Sequence, residues 1–184
     1  MTSAASVGGG ERVRLFCALL LPEPVLDVVA RWQEEHVVRS RPVPRQNLHV
    51  TLAFLGWTKR DRLDDVVSEL RAAAAAAAPM RLEPVRYRET RSVGMLVLSD
   101  EQRAAAAFAA DLHGRLERLG VYEREAREWL PHLTVGRFRE RPRLRPPLPD
   151  TGPIVPSEAA AYLSLLRPSG AEYVVLESVN LGGC

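Results

Sequence analysis

The sequence predicts an α+β fold built on antiparallel sheet, and three observations carry that expectation. Strand-period apolar stretches outnumber helix-period ones. The two kinds mix without the regular βα alternation of a doubly wound parallel sheet. A strand-opening tetrapeptide, His-apolar-Thr-apolar, occurs at 49–52 and again at 132–135, which hints at a duplication.

The elements follow in order. Residues 12–20 (RVRLFCALL) alternate and are rich in apolar side chains, as a half-buried strand requires. Pro22 and Pro24 open a helix-period stretch, 23–38, with Val25, Val28, Val29 and Trp32 on one face. The segment 39–46 is a proline-punctuated loop, and 48–55 (LHVTLAFL) is the clearest strand, ended by Gly56. A helix is expected from about 59 to 78, stopped by Pro79, then strands at 80–88 and 92–98. Asp100 is placed to cap a helix running to Leu119, with Gly120 just beyond. A strand at 132–138 precedes a proline- and arginine-rich connection, 139–156. Strands at 158–166 and 172–179 close the chain as a hairpin around Pro168–Gly170.

With 184 residues, one compact domain or two small lobes sharing a cleft is expected over 12–182. The first eleven residues read as a disordered tail without the basic start and apolar core of a signal peptide. No apolar run reaches the roughly 18 residues that cross a bilayer, so cytoplasmic residence and no membrane partner are expected. Cys17 sits in an apolar run as a small core residue and Cys184 ends the chain, so neither suggests zinc or redox chemistry. A net charge of +2 is too small to argue for nucleic acid. Lys59 is the only lysine, so a covalent lysine intermediate would have to use it.

Alternation puts His49 and Thr51 on one face of their strand, and Val50, Leu52 and Phe54 on the other. In the second copy His132 and Thr134 share a face, with Leu133 and Val135 behind. Opening a cyclic phosphodiester needs a base for the attacking water and an acid for the departing sugar oxygen. Two imidazoles can hold those opposite states near neutrality, and two hydroxyls can bind the non-bridging oxygens. No metal or other cofactor is needed. A single His-x-Thr on a strand is more often structural; two with matched apolar flanks are specific.

These residues resemble the two-histidine (2H) phosphoesterase superfamily, and within it the RNA 2′,3′-cyclic phosphodiesterases historically called 2′-5′ RNA ligases. The resemblance covers residues 12–182. Beside the two His-x-Thr-x motifs it rests on Arg14-Leu15-Phe16, Ala18 and Leu21-Pro22, and on the block from Asn47 to Gly56. Pro131, Arg137 and the pattern Ser164, Gly170, Tyr173 complete it. It implies a bilobal fold of two antiparallel sheets flanked by helices, with the active site in the cleft between lobes. It further implies His49 as proton donor to O3′, His132 as proton acceptor from water, and Arg137 as a phosphate-binding residue. Val97 departs from the pattern, since many relatives carry tryptophan there.

Strict alternation would turn Arg137 away from His132, unless Gly136 supplies a bulge. Arginines at 137, 139, 141, 143 and 145 make an edge suited to RNA phosphates if that segment is extended; a solvated loop is the alternative. Phe16 could stack a terminal base by the same family analogy, or pack in the core. His36 and His113 lack a following threonine and read as structural or exposed. The expected activity is metal-independent hydrolysis, by a monomer, of RNA 3′ ends bearing a 2′,3′-cyclic phosphate. Ligation of 2′-5′ junctions, hydrolysis of a small cyclic nucleotide, a non-catalytic RNA-binding module and a histidine metal site remain the competing readings.

Overall fold

The computed structural model describes residues 11–168 and 170–182. The tail expected at the N-terminus therefore lies, apart from Glu11, outside the described residues, as does Cys184. Strand β1 (Arg12–Leu19) leads into helix α1 (Glu23–His36), whose first turn carries Pro24, where no N–H bond is lost. Next come β3 (Val50–Lys59) and α2 (Leu63–Ala75), after a two-residue strand β2 (Arg41–Pro42). Strands β4 (Glu83–Glu89) and β5 (Val93–Ser99) precede α3 (Ala104–Arg118), and β6 (His132–Arg137) starts at the second motif. The hairpin β7 (Glu158–Arg167) and β8 (Gly170–Asn180) closes the fold.

Three details differ from the sequence expectation. Gly56 does not end its strand: at φ 63° it bends the backbone, and pairing with β1 continues to Lys59 opposite Arg12. The helix expected from 59 begins as a 3₁₀ turn over Arg60–Arg62 and ends at Ala75. Arg103, not Asp100, holds the cap position of α3. The Asp100 carboxylate still accepts from Ala106 N at 2.8 Å and Ala105 N at 3.4 Å.

All strand pairings are antiparallel, in the order β4-β5-β6-β3-β1-β7-β8, with β2 added on β6. The two expected sheets are the halves of one curled sheet. They meet where β3 and β6 pair at a single position, Val50 opposite Leu133. Each of those residues immediately follows its motif histidine.

The helices cover the face to which Val50, Leu52, Leu133 and Val135 point. There α1 packs on β6, α3 on β3, and α2 on β7 and β8. Leu70, Leu112, Leu116, Val29 and Ile154 fill this core with essentially no exposure. Burying each such side chain contributes about 1.5–3 kcal/mol, which anchors the backs of both motif strands. Cys17 is in the same core, and burial pushes its thiol up to about 12. No helix among the described residues is long and apolar enough to cross a membrane.

Candidate active site

On the other face of the sheet lies a cavity of about 470 Å³ that draws residues from both halves. His49, just before β3, and Thr51 and Phe54 on β3 line it, with Thr134 and Arg137 from β6 and Arg14 and Phe16 from β1. Asn47 and Tyr173 add to the wall. His132 does not line the cavity itself. It stands two residues from Thr134 on β6, close enough that its charge lowers the pKa of His49.

The two histidines are held alike. His49 Nδ1 is 2.7 Å from the carbonyl of Asn47, and His132 Nδ1 is 2.8 Å from the carbonyl of Leu130. A carbonyl only accepts, so Nδ1 carries the proton in both rings and Nε2 is left as the working nitrogen. His49 Nε2 lies 3.1 Å from Thr51 Oγ1, so the neutral ring accepts from that hydroxyl.

Their environments differ. His49 rests against aromatic rings: Phe16 at 4.9 Å, Tyr173 at 5.6 Å and Tyr162 at 6.1 Å between centroids. Desolvation in that setting drives its pKa down to about 4. The Asn47 carbonyl opposes the shift, while the charges of His132 and Arg137 reinforce it. The free protein therefore carries a neutral His49 at neutral pH.

Two bulges decide which side chains reach the cavity. On β3, Ala18 and Cys17 pair with Thr51 and Ala53, leaving Leu52 as an extra residue. The phase slips there, and Phe54 joins the face of His49 and Thr51, where it is 48 % exposed. The expectation that Phe54 packs behind the strand with Val50 and Leu52 is thus corrected. On β6, Met95 and Gly94 pair with Thr134 and Gly136, leaving Val135 extra, and Arg137 turns into the cavity. The bulge residue is Val135, not Gly136. Gly136 serves another need, since a Cβ there would stand 2.7 Å from Val37 Cγ1 and 2.8 Å from Ser40 Oγ.

Side chains from outside the sheet brace the diverging strands. Trp129 Nε1 donates to the Thr51 carbonyl at 3.0 Å, and the buried His113 donates through Nε2 to the Leu52 carbonyl at 2.7 Å. Gln33 Nε2, also buried, donates to the carbonyls of Val135 at 2.5 Å and Val43 at 3.1 Å. The Val135 carbonyl also accepts from Val43 N at 3.2 Å, so these bonds tie surrounding segments to the two motif strands. Phe16 is 3 % exposed, with His49, Tyr162 and Tyr173 all within 4.9 Å of its ring centre, which leaves little face for a nucleobase. Val97 pairs with His132 in the β5–β6 ladder and is buried. Sequence reasoning missed Phe54, Arg41 and Tyr162; the first two needed the cavity outline, the third the stacking geometry.

Comparison with known proteins agrees with this picture. A family model described as the 2′-5′ RNA ligase superfamily matches residues 21–155. An RNA 2′,3′-cyclic phosphodiesterase of Thermus thermophilus is 31 % identical over 93 % of this chain and 91 % of its own. A second protein of that name, from Methanocaldococcus jannaschii, is 22 % identical over 90 % of this chain and 99 % of its own. Among solved structures, TT0787 of T. thermophilus superposes with a TM-score of 0.78 at 28 % identity, covering 92 % of this chain and 98 % of its own. LigT of E. coli in complex with 3′-AMP gives 0.73 at 25 % identity, covering 94 % and 99 %.

Proposed function

The chain belongs to the 2′-5′ RNA ligase superfamily, and from that premise we propose that it hydrolyses RNA ends carrying a 2′,3′-cyclic phosphate, leaving a 2′-phosphate. The chain is an enzyme of the two-histidine phosphoesterase superfamily, and in this reading His49 and His132 are its acid–base pair. The observation that carries the reading is their shared geometry: each imidazole spends Nδ1 on a backbone carbonyl and keeps Nε2 for chemistry.

In the proposed step, His132 Nε2 takes a proton from water as the water oxygen bonds to phosphorus. The P–O3′ bond breaks in line, and His49 Nε2 gives its proton to O3′. The water adds across one P–O bond, and each histidine ends in the state opposite to its start. Thr51, Thr134 and Arg137 all line the cavity, which supports their binding the non-bridging oxygens, where charge concentrates. His49 must be protonated to act as donor, although the free protein holds it down at about 4. A phosphate anion beside the ring favours the charged form, so substrate binding itself raises that pKa. Phe16 acts as a floor beneath His49, and its aromatic neighbours keep water from that side. Among the described residues the cavity lining holds no carboxylate or thiolate, and the charge neutralisation falls to Arg137, Arg14 and Arg41.

The test is the product. An oligonucleotide ending in a 2′,3′-cyclic phosphate is incubated with the protein, then with a phosphatase restricted to 3′-monoesters. Resistance of the opened end is the expected outcome. Ready dephosphorylation would put the proton donor beside O2′ and reverse the roles of the two histidines.

A further inference from the structure

Gln33 is a polar side chain on the buried face of α1, and its amide joins three elements. Its Nε2 donates to the Val135 carbonyl on β6 at 2.5 Å, and to the Val43 carbonyl, just past β2, at 3.1 Å. Val43 N donates in turn to the Val135 carbonyl at 3.2 Å. Helix, short strand and motif strand thus meet at one amide. Carbonyls only accept, so the nitrogen end of the amide must face them. The brace in the other half is simpler, since His113 bonds the Leu52 carbonyl and ties α3 to a single strand.

The joint needs that help. Strand β2 has two residues, and one of them, Pro42, has no N–H to give a ladder. Its pairing sets Arg41 opposite Arg137 and Pro42 opposite Gly136. Like charges facing each other across a ladder oppose pairing. Among the described residues no carboxylate lies within salt-bridge reach of either arginine to offset this. Both arginines nevertheless line the cavity with Thr134. The bonds at Gln33 act two residues before Arg137, at Val135, and two residues after Arg41, at Val43. They hold two cations on one wall.

We infer that Gln33 is a positioning residue for the phosphate site: its amide holds β2 against β6 and so keeps Arg41 and Arg137 together at the cavity, where two guanidinium forks can meet one anion. The inference rests on the proposed contact between Arg137 and the phosphate. Gln33 does not line the cavity, so it acts on the anion only through the arginines it places.

The experiment measures the affinity for inorganic phosphate by calorimetry and kcat/KM on a cyclic-phosphate oligonucleotide, with urea titration showing that each variant is folded. Gln33→Met keeps the length of the side chain but removes both donors, and should weaken phosphate binding about tenfold. Gln33→Glu keeps the shape but sets an acceptor against two carbonyls, and should weaken it more. The discriminating measurement is a double-mutant cycle. Gln33→Met should lower kcat/KM about tenfold in the wild type but about threefold or less in Arg137→Ala, because the arginine it places is gone. The same factor in both backgrounds, or wild-type phosphate affinity in Gln33→Met, would make the brace merely structural and overturn the inference. If Gln33→Met does not fold, Val43→Pro removes the Val43 N bond from the strand side, and the same cycle and outcomes apply to it. Wild-type phosphate affinity in Arg137→Ala is a separate failure, which sinks the proposed phosphate contact and the inference with it. If the wild type opens no cyclic phosphate, the proposed hydrolysis fails and the phosphate affinities alone decide the role of Gln33.

Discussion

Phe54 and Arg137 hold the same place in the two halves of the sheet. Each stands five residues after its motif histidine, and each is turned into the cavity by a bulge at the third residue, Leu52 or Val135. The point about which the halves relate is the Val50–Leu133 pair, one residue past each histidine. The duplication hinted at by two tetrapeptides thus extends to the backbone irregularity that follows them. The two positions have diverged in chemistry: one half presents a ring, over which Arg14 lies at 4.8 Å, and the other a guanidinium.

The Val135 bulge turns Arg137 into the cavity, and if Arg137 binds the phosphate as proposed, a flexible point charge should not replace it. Arg137→Lys is expected to lose about tenfold or more in kcat/KM, and Arg137→Ala more, since lysine cannot make a forked contact. Steady-state kinetics on a cyclic-phosphate oligonucleotide checks this. A wild-type rate for Arg137→Ala would return the residue to the solvated surface.

Removal of either histidine should cost about 10²–10⁴-fold in turnover, with the fold retained by circular dichroism. Thr51→Ala and Thr134→Ala should be milder, at about 1–3 kcal/mol of transition-state stabilisation each. Thr51→Ala carries an extra consequence, because it removes the hydroxyl that bonds His49 Nε2 in the free protein. If either histidine variant keeps more than about a tenth of the rate, the acid–base pair is wrongly assigned.

The histidine–threonine pairs were legible in the sequence because alternation over three residues is local and survives any tertiary context. Arg137 and Phe54 lay beyond the bulges, where strict alternation gives the wrong face, and nothing within HVTLAF or HLTVGR marks which residue will be extra. The braces were hidden for a different reason. Trp129, Gln33 and His113 bond backbone carbonyls 78, 102 and 61 residues away, so these contacts exist only once the chain has folded. His113 had been read as structural or exposed, and its buried bond to Leu52 makes it structural. Gly136 looked like a bulge former because glycine permits one; its requirement comes from α1 and the following turn pressing on β6.

That close approach gives a stability prediction. Gly136→Ala introduces a methyl within 3 Å of Val37 and Ser40, and overpacking of this kind costs about 1–3 kcal/mol. The strain falls between Val135 and Arg137, so activity should drop alongside the urea midpoint. Gly136→Ala combined with Ser40→Gly should recover part of both, because Ser40 supplies one of the two clashing atoms. An unchanged midpoint in the single variant would mean that α1 can move away from β6 freely.

The pKa of His49 makes a prediction with a definite sign. Folding lowers it from 6.5 to about 4, so above pH 6.5 the neutral ring is carried without penalty. As pH falls from 6.5 towards 4, the unfolded chain takes up a proton that the folded one refuses, and stability drops by up to about 3 kcal/mol. Below about 4 both states are protonated and this loss stops growing. The depressed pKa of buried His113 acts in the same direction. Carboxylates titrate in this range too, so the measurement is a difference: urea midpoints of the wild type and His49→Gln at pH 7.5, 5.5 and 4. The variant should lose less stability than the wild type across that interval, since glutamine does not titrate. The same residue should place a break in kcat/KM at about pH 4, because that quantity reports the free enzyme. In kcat the break should move upward, as the bound phosphate anion favours the imidazolium. Parallel pH profiles for kcat and kcat/KM would mean that substrate leaves His49 unperturbed, and that it cannot be the group that protonates O3′.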